Sequence, residues 1–188
     1  MRYPDTHKAQ TRRRIVAMAA LRFRAEGLSS VGIANLMADL GLTHGGFYAH
    51  FAGKDELVAA ACSQALQQLN QHWRQLLEQA APGECMVALA SDYLSPAHRD
   101  LPDSGCALAA LAGELARQGV TVRQRVAGEL EAILDTLAEA RRRDGQADSA
   151  LADLALLVGS LSLARLIDDA ALSQQLLQQA RDRLVAPK

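Results

Sequence analysis

The residues best suited to bind a polyanion lie in one short stretch, positions 29–57, which reads SSVGIANLMADLGLTHGGFYAHFAGKDEL. Hydroxyl and imidazole groups recur between Thr43 and His50, and such groups hydrogen-bond to phosphate oxygens and base edges. Gly45 and Gly46 stand among them, although glycine costs a helix about 1 kcal/mol per residue. We interpret both glycines as positions where the backbone approaches another molecule closely, with extended capping of the helix as the alternative.

Lys54 begins a predicted helix, where the helix dipole disfavours a cation by about 0.3–1 kcal/mol. The next residues, Asp55 and Glu56, are the acidic ones that such a position favours. A phosphate held by the ammonium group and the helix-end amides explains the lysine, and a solvated lysine is the alternative. Tyr48 lies between phenylalanines that would anchor its helix, so we expect an outward hydroxyl; the alternative is a core ring with a satisfied hydroxyl.

These side chains require two short helices joined by a tight turn. The first helix follows Ser29 or Ser30 as its N-cap and ends before Gly41, whose backbone freedom suits a turn at residues 39–42. The second helix follows Thr43 as its N-cap. Two short helices joined in this way indicate a helix-turn-helix, whose second helix enters the major groove of DNA.

The whole chain has a helical pattern. Apolar residues recur at spacings of three and four among good helix formers, and no segment alternates as a strand would. We therefore predict an all-α fold of about nine helices, with the helix-turn-helix in a domain of residues 1–53 and a larger helical domain over 54–188. Besides the two short helices, the predicted helices cover about 7–26, 54–81, 84–94, 104–119, 121–143, 149–168 and 172–185, with a loop at 95–103.

Charge is distributed unevenly along the 188 residues, although the net charge is only −1. Residues 1–54 hold eight basic and three acidic side chains, and the remainder holds twelve basic and eighteen acidic ones. A basic end on an otherwise acidic chain indicates a polyanion partner for that end, with a solvated charged face as the alternative. The basic residues of this end are Arg2, Lys8, Arg12, Arg13, Arg14, Arg22, Arg24 and Lys54.

Other classes of protein are excluded by composition and motif. A 49% hydrophobic content argues against disorder, and three widely spaced cysteines make no disulfide framework. The first residues lack the apolar run of a secretory signal, so we expect a cytoplasmic protein without a membrane span, metal site or cofactor. There is no nucleophile elbow, HExxH motif or phosphate loop. The one constellation that could serve an enzyme is Cys106 with His98 and Glu114, and we predict no enzyme.

The run from Gly41 to Phe51, followed by residues 54–57, resembles the TetR/AcrR family of bacterial transcriptional regulators over roughly residues 10–58. Gly32 and Gly53 depart from the family pattern without disturbing it. The resemblance implies a repressor that binds a palindromic operator as a two-fold homodimer and is released by a small apolar or electrophilic inducer. The predicted DNA-binding residues are Arg13, Ser30, Thr43, His44, Gly45, Gly46, Tyr48, His50 and Lys54.

The resemblance also places the dimer interface in the last two helices. Residues 150–167 are apolar on nearly all sides, and such a helix needs cover on more than one face. Gly159, Ser160 and Ser162 would permit close approach of a partner, and the last helix adds a stripe of Leu172, Leu176, Ala180 and Leu184. The alternative is that both helices lie inside a monomer.

An inducer pocket is implied among the helices of the larger domain. Trp73, Met86 and Tyr93 are candidates for its lining, and they are equally good core residues. Cys106 follows Ser104 and Gly105 at a predicted helix start, where the helix end and nearby cations such as His98 and Arg99 would stabilise a thiolate. This stretch is similar to that of a family branch that responds to electrophiles such as N-ethylmaleimide. Cys106 is thus a candidate sensor thiol, or alternatively a buried packing thiol.

Overall fold

The structure is a computed structural model that describes residues 5–186, with side chains from residue 7 onward. Arg2 of the basic set and the outermost residues of both predicted domains lie outside this range. The described residues form only helices, which confirms the all-α prediction. The helices are α1 (Asp5–Glu26), α2 (Ile33–Asp39), a 3₁₀ helix (His44–Ala49), α3 (Lys54–Gln79), α4 (Cys85–Tyr93), α5 (Pro96–Asp100), α6 (Ala107–Leu115), α7 (Val120–Arg143), α8 (Ala150–Leu166) and α9 (Ala170–Val185).

Two glycines shape the head, by which we mean residues 5–53. Gly27 ends α1 with a φ of +86°, and Gly41 makes the turn after α2 with a φ of +70°. Both angles lie in the left-handed region that favours glycine, and for Gly41 the sequence predicted this. An ion pair between Arg22 and Asp39, with 2.6 Å between Nη1 and Oδ2, holds α2 against α1. The turn between α2 and the 3₁₀ helix therefore has a fixed geometry.

The predicted start of α2 is wrong by about three residues. Its N-cap is Gly32, in an extended conformation, rather than Ser29 or Ser30. The reason lies elsewhere in the chain, because a carboxylate oxygen of Glu114 accepts hydrogen bonds from the backbone N–H groups of Leu28 (2.9 Å) and Ser29 (3.3 Å). These bonds hold residues 27–30 as a separate turn that precedes the helix.

α3 is the central helix and joins the head to the body, by which we mean residues 54–186. It packs against α1 on one side and α7 on the other. Apolar residues spaced four apart form a stripe along α3 that is buried except for Leu69, which is partly buried; the buried members are Leu57, Ala61, Ala65, Trp73 and Leu77. The buried apolar residues of head and body form one continuous cluster. A movement of α3 would therefore displace packing contacts in both the head and the body.

The predicted loop at residues 95–103 contains a short helix, α5. The Ser95 hydroxyl oxygen accepts a hydrogen bond from the His98 N–H (3.2 Å), and Pro96 occupies the first turn, where its missing N–H costs nothing. Pro96 and Pro102 in this segment favour a loop, but Pro96 is at a position that starts a helix. The next helix, α6, begins later than predicted, with Cys106 as its N-cap rather than inside its first turn.

α8 and α9 pack against each other at one side of the body. Only Gly159 of the three predicted small residues lies on the open side of α8, where a Cβ would meet nothing within 4 Å. Ser160 is buried within the chain, and the Ser162 hydroxyl donates to the Ala109 carbonyl oxygen (2.9 Å). Within residues 5–186, no helix combines the length and the apolar character needed to cross a membrane.

Candidate nucleic-acid interface

The 3₁₀ helix is fixed to the head by two buried phenylalanines. The rings of Phe47 and Phe51 are stacked, with 5.2 Å between centroids and 24° between planes. The guanidinium carbon of Arg12, on α1, lies 4.5 Å from the centroid of the Phe51 ring, which adds a cation–π contact. Because one side of the 3₁₀ helix is anchored in this way, its other side is presented to solvent.

The start of the 3₁₀ helix is capped as the sequence predicted. The Thr43 hydroxyl oxygen accepts a hydrogen bond from the Gly46 N–H at 3.2 Å. The two glycines differ in their surroundings. A Cβ on Gly46 would meet the Thr43 hydroxyl oxygen at 3.2 Å, whereas a Cβ on Gly45 would meet nothing within 4 Å. Packing within the chain therefore gives a reason for Gly46 and none for Gly45.

Tyr48 and His44 form an exposed aromatic pair on this helix. The Tyr48 side chain is 59% exposed, and its hydroxyl makes no hydrogen bond with the described residues. Its ring stands edge-on to the buried Phe47 ring, with 5.3 Å between centroids, and to the exposed His44 ring at 5.8 Å. The core-ring alternative for Tyr48 does not fit this geometry. The hydroxyl is free to donate to a phosphate oxygen.

Lys54 is the first residue of α3, directly after the N-cap Gly53. Its ammonium group forms no ion pair with a carboxylate among the described residues, although Asp55 and Glu56 follow it in the first turn. The first N–H groups of α3 have no acceptor carbonyl within the helix itself, and only the backbone just before the helix can supply one. A cation and a helix N-terminus thus lie together, which is the arrangement that binds phosphate.

The other predicted DNA-binding residues are placed less uniformly. Arg13 is exposed on α1, and Ser30 is exposed in the turn before α2. His50 ends the 3₁₀ helix and is half-buried, with Nδ1 enclosed and without a hydrogen-bond partner. Burial, together with the positive charges of Lys8 and Arg12, lowers the pKa of His50. His50 therefore faces the basic side of α1.

A clamp between α1 and α3 was missed in the sequence. One oxygen of Glu56 accepts a hydrogen bond from the Ala52 N–H (2.8 Å), and the other pairs with Arg12 Nη2 (3.1 Å). The bond from Ala52 is the main cause that lowers the pKa of Glu56. A glutamate three residues after a helix N-cap is the known signal for half of this clamp. The partner Arg12 lies 44 positions away, where no local pattern connects the two.

A family model for the bacterial regulatory proteins of the tetR family matches residues 15–61, which span the anchored helix-turn-helix. Within these residues the chain is similar to the DNA-binding domain of that family. The match and the solved structures support a DNA-binding transcriptional regulator, as the resemblance in the sequence implied. A comparison with the curated proteins gave no match.

Solved structures of TetR regulators share the fold over nearly the whole chain. A TetR-family transcriptional regulator from Streptomyces coelicolor is 25% identical, with a TM-score of 0.72 over 96% of this chain and 97% of that one. NemR from E. coli, in its reduced form, is 18% identical, with a TM-score of 0.81 over 93% and 95%. AibR, in complex with isovaleryl coenzyme A and operator DNA, is 17% identical, with a TM-score of 0.67 over 94% and 99%.

Three of the four predicted ligand residues lie in the core. Trp73, Met86 and Tyr93 are at most 1% exposed, and the Trp73 and Tyr93 rings meet edge-on with 5.6 Å between centroids. Trp73 Nε1 and the Tyr93 hydroxyl are enclosed without a hydrogen-bond partner. A cleft of about 360 Å³ opens beside them and is lined by Cys106 together with a different set: Arg24, Ala65, Gln68, Leu69, His72, Asp92, Ser95, Ala97, His98, Leu101, Ser104 and Gly105.

Cys106 is almost completely buried at the end of this cleft, and its surroundings differ from those expected. Its backbone N–H donates to His98 Nε2 (2.9 Å), so that ring nitrogen carries no proton, and His98 Nδ1 donates to the Tyr93 carbonyl oxygen (2.7 Å). His98 is therefore neutral, and burial lowers its pKa. Arg99 pairs with Asp100 at 2.6 Å. The cations that interact with the thiol are Arg24 and Arg165, which are remote in sequence.

No cluster of His, Cys, Asp or Glu side chains within the described part of the chain has the composition to hold a metal ion.

Proposed function

We propose that this protein is a TetR-type repressor that binds a palindromic operator as a homodimer and is released by a small molecule. The observation that carries the proposal is the free outer side of the 3₁₀ helix. There Gly45 leaves open space and Tyr48 extends an unpaired hydroxyl, while the buried phenylalanines hold the helix rigid. The proposed contact surface also includes Arg13, Ser30, Thr43, His44, Gly46, His50 and Lys54.

Each residue of this surface has a proposed task. Lys54 and Tyr48 bind phosphates, since one is a cation at a helix N-terminus and the other an exposed phenol. The start of the 3₁₀ helix, with His44, reads base edges in the major groove. The basic side of α1 supplies attraction without sequence preference. We further propose that residues 1–53 serve DNA binding, that residues 54–188 serve ligand binding and dimerisation, and that the protein works in the cytoplasm on genomic DNA.

An exposed apolar stripe on α8 supports dimerisation through α8 and α9. Its members follow a four-three spacing, and Leu163 and Leu166 are 52% and 77% exposed. The remaining members are Ala152, Leu156 and Gly159. On α9, Leu172 is 52% exposed, whereas Ala180 and Leu184 are buried within the chain. We therefore expect the start of the α9 stripe to contact the partner, whereas its end packs in the chain's own core.

The homodimer is tested by sedimentation of wild type and two single variants. Leu163→Glu places a charge on the stripe, and the matched control Val87→Glu places one on α4, at a side chain that is 46% exposed. We expect a dimer for wild type and Val87→Glu, and a monomer for Leu163→Glu. A dimer that survives Leu163→Glu with unchanged affinity contradicts the proposed interface.

Operator binding is tested by fluorescence anisotropy with the DNA upstream of the protein's own gene. We expect selective, salt-sensitive binding and repression of a reporter placed under that DNA. Activation of the reporter would refute the repressor role but retain DNA binding. Equal affinity for unrelated DNA of the same length would refute an operator in that DNA.

A second mode of release is through the Cys106 thiol, and one observation favours it: the residue lines the cleft beside Arg24. Electrophiles react with cysteine thiols that they can reach, and this thiol lies at the end of the cleft. We expect N-ethylmaleimide to release operator from wild type and from Cys62→Ser, but not from Cys106→Ser. Release from all three variants would contradict this mode. The same cleft offers Cys106 no general base, because His98 Nε2 is occupied, so we propose no enzyme activity.

A further inference from the structure

The cleft beside Cys106 lies at the junction of head and body. The end of α1 contributes Arg24, α3 contributes Leu69 and His72, and the segment from α5 to α6 closes the third side. Its volume of about 360 Å³ is at the small end of the range for ligand pockets. Its apolar wall consists of Ala65, Leu69 and Leu101.

Arg24 is a buried cation without a counterion. The residue is 9% exposed, and its Nη1 donates to the Gly105 carbonyl oxygen at 2.9 Å. Nε is enclosed without a partner, and no carboxylate of a described residue lies within ion-pair distance of the guanidinium. Burial lowers the pKa of Arg24, and Cys106 and Asp103 oppose this only from a distance. An uncompensated buried charge of this kind is costly unless something pairs with it.

A second guanidinium reaches the same strip of backbone from the other side. Arg165 donates to the carbonyl oxygens of Arg99 (3.1 Å) and His98 (2.7 Å), while its Nη1 is enclosed without a partner. A Cβ on Gly105 would stand 2.7 Å from Arg165 Nη2 and 2.9 Å from the His98 ring, so a larger residue would have to displace these groups. Two cations therefore flank residue 105, and neither has a carboxylate partner among the described residues.

The acidic side chain of the cleft is already engaged. Asp92 Oδ2 lies 3.0 Å from His72 Nε2, and both are at the mouth. His98 is neutral, and its ring nitrogens are both bonded. The inner end of the cleft thus carries positive charge that the described side chains do not neutralise, next to an apolar wall.

We propose that the cleft binds a small carboxylate with a short apolar chain, whose carboxylate pairs with Arg24 and whose chain lies along Ala65, Leu69 and Leu101. This proposal rests on the proposed function, because it assigns a chemical class to the small molecule that releases the regulator from its operator. A guanidinium pairs with a carboxylate through two parallel hydrogen bonds, which gives both affinity and orientation. The ligand is thus anionic, whereas the sequence led us to expect an apolar or electrophilic inducer.

Through Arg24, a bound carboxylate would act directly on a contact between the head and the body. Arg24 is on α1, and its bond to Gly105 is one of several direct ties between head and body, along with Glu114 to Leu28 and Ser29 and Glu56 to Arg12 and Ala52. A carboxylate at Arg24 changes the charge and the hydrogen bonding at this tie. If ligand binding changes the affinity of the protein for its operator, operator binding must change the affinity of the protein for the ligand by the same factor.

The test is a calorimetric titration of the full-length protein without DNA. The probes are hexanoate, its neutral analogue hexanamide and the cationic hexylammonium, with acetate and octanoate to vary the chain. We expect hexanoate to bind at least tenfold more tightly than hexanamide, and hexylammonium to give no heat. Equal affinity for hexanoate and hexanamide, or no binding by any of the carboxylates, would overturn the proposal.

Arg24→Met and Arg24→Lys test the anchoring group, and Arg74→Met is the matched control because Arg74 is exposed on α3 outside the cleft. We expect Arg24→Met to weaken hexanoate at least tenfold, and Arg74→Met to leave it unchanged. If Arg24→Met does not fold, Arg24→Lys, which keeps the charge but loses the paired hydrogen bonds, is expected to weaken hexanoate severalfold. Unchanged affinity in a folded Arg24 variant would overturn the assignment.

Operator affinity is measured separately, with and without hexanoate. Failure of the carboxylate titration with intact operator binding rejects only the ligand class. Failure of operator binding with intact carboxylate binding rejects the proposed function and leaves the cleft assignment standing.

Discussion

Substitution of Gly45 by alanine is expected to stabilise the protein and weaken operator binding at the same time. The backbone at Gly45 does not adopt a positive φ, and a Cβ there would meet nothing within 4 Å. Alanine in place of a helical glycine is worth about 0.5–1 kcal/mol in the free energy of unfolding. For a chain of this length, that corresponds to a rise of about 1–4 °C in Tm.

The effect on DNA has the opposite sign. If the backbone at Gly45 touches the DNA, the added methyl group occupies the space of that contact. We expect Gly45→Ala to weaken operator binding at least tenfold, which is about 1.4 kcal/mol. A variant that gains stability and loses affinity separates a functional glycine from a structural one.

Thermal unfolding and fluorescence anisotropy measure the two quantities. Gly128→Ala on α7 is the matched control, because its backbone has no positive φ and a Cβ there is also unobstructed. It is expected to raise Tm without affecting operator binding. Gly46→Ala is expected to give no gain in Tm, since its Cβ would meet the Thr43 hydroxyl oxygen at 3.2 Å. Unchanged operator affinity for Gly45→Ala would refute the close approach.

Three further predictions concern single side chains. Lys54→Ala is expected to weaken operator binding and reduce the slope of log affinity against log salt by about 1, with Tm unchanged; Arg74→Ala, about 30 Å along α3, is the control. Tyr48→Phe is expected to weaken operator binding severalfold without lowering Tm, and a large fall in Tm would mean that the hydroxyl serves folding. Wild type is expected to lose stability as the pH falls below 6.5, because the unfolded chain takes up a proton that His98 in the folded protein refuses. His98→Gln should lose less between pH 7.5 and 5.5, and equal losses would contradict the neutral ring.

Local signals explain why the head could be predicted from the sequence. The threonine cap, Gly41 in the turn and the paired phenylalanines are each set by residues a few positions apart. The start of α2 could not be predicted, because the carboxylate that organises the preceding turn comes from Glu114, more than 80 positions away. Local propensity does not register such a partner.

The cleft beside Cys106 was the least predictable part for the same reason. Trp73 and Tyr93 are apolar residues at helical spacing, and the structure uses them as core. The cleft instead depends on Arg24, which a linear reading assigns to the basic end that meets DNA. Tertiary contacts instead place this arginine in the wall of the cleft, away from the exposed basic residues of the head. The division at residue 53 and the dimer interface stay predictions.

Selection of operators from a pool of randomised duplexes tests the central claim most directly. We expect enrichment of an inverted repeat whose half-sites are separated by about one helical turn of DNA or a multiple of it, because the proposed dimer relates two recognition helices by a two-fold axis. The same selection with the Gly45→Ala, Tyr48→Phe, Lys54→Ala triple variant should enrich nothing. Failure of the wild-type protein to enrich any sequence, or enrichment of an unrepeated site, would contradict the account.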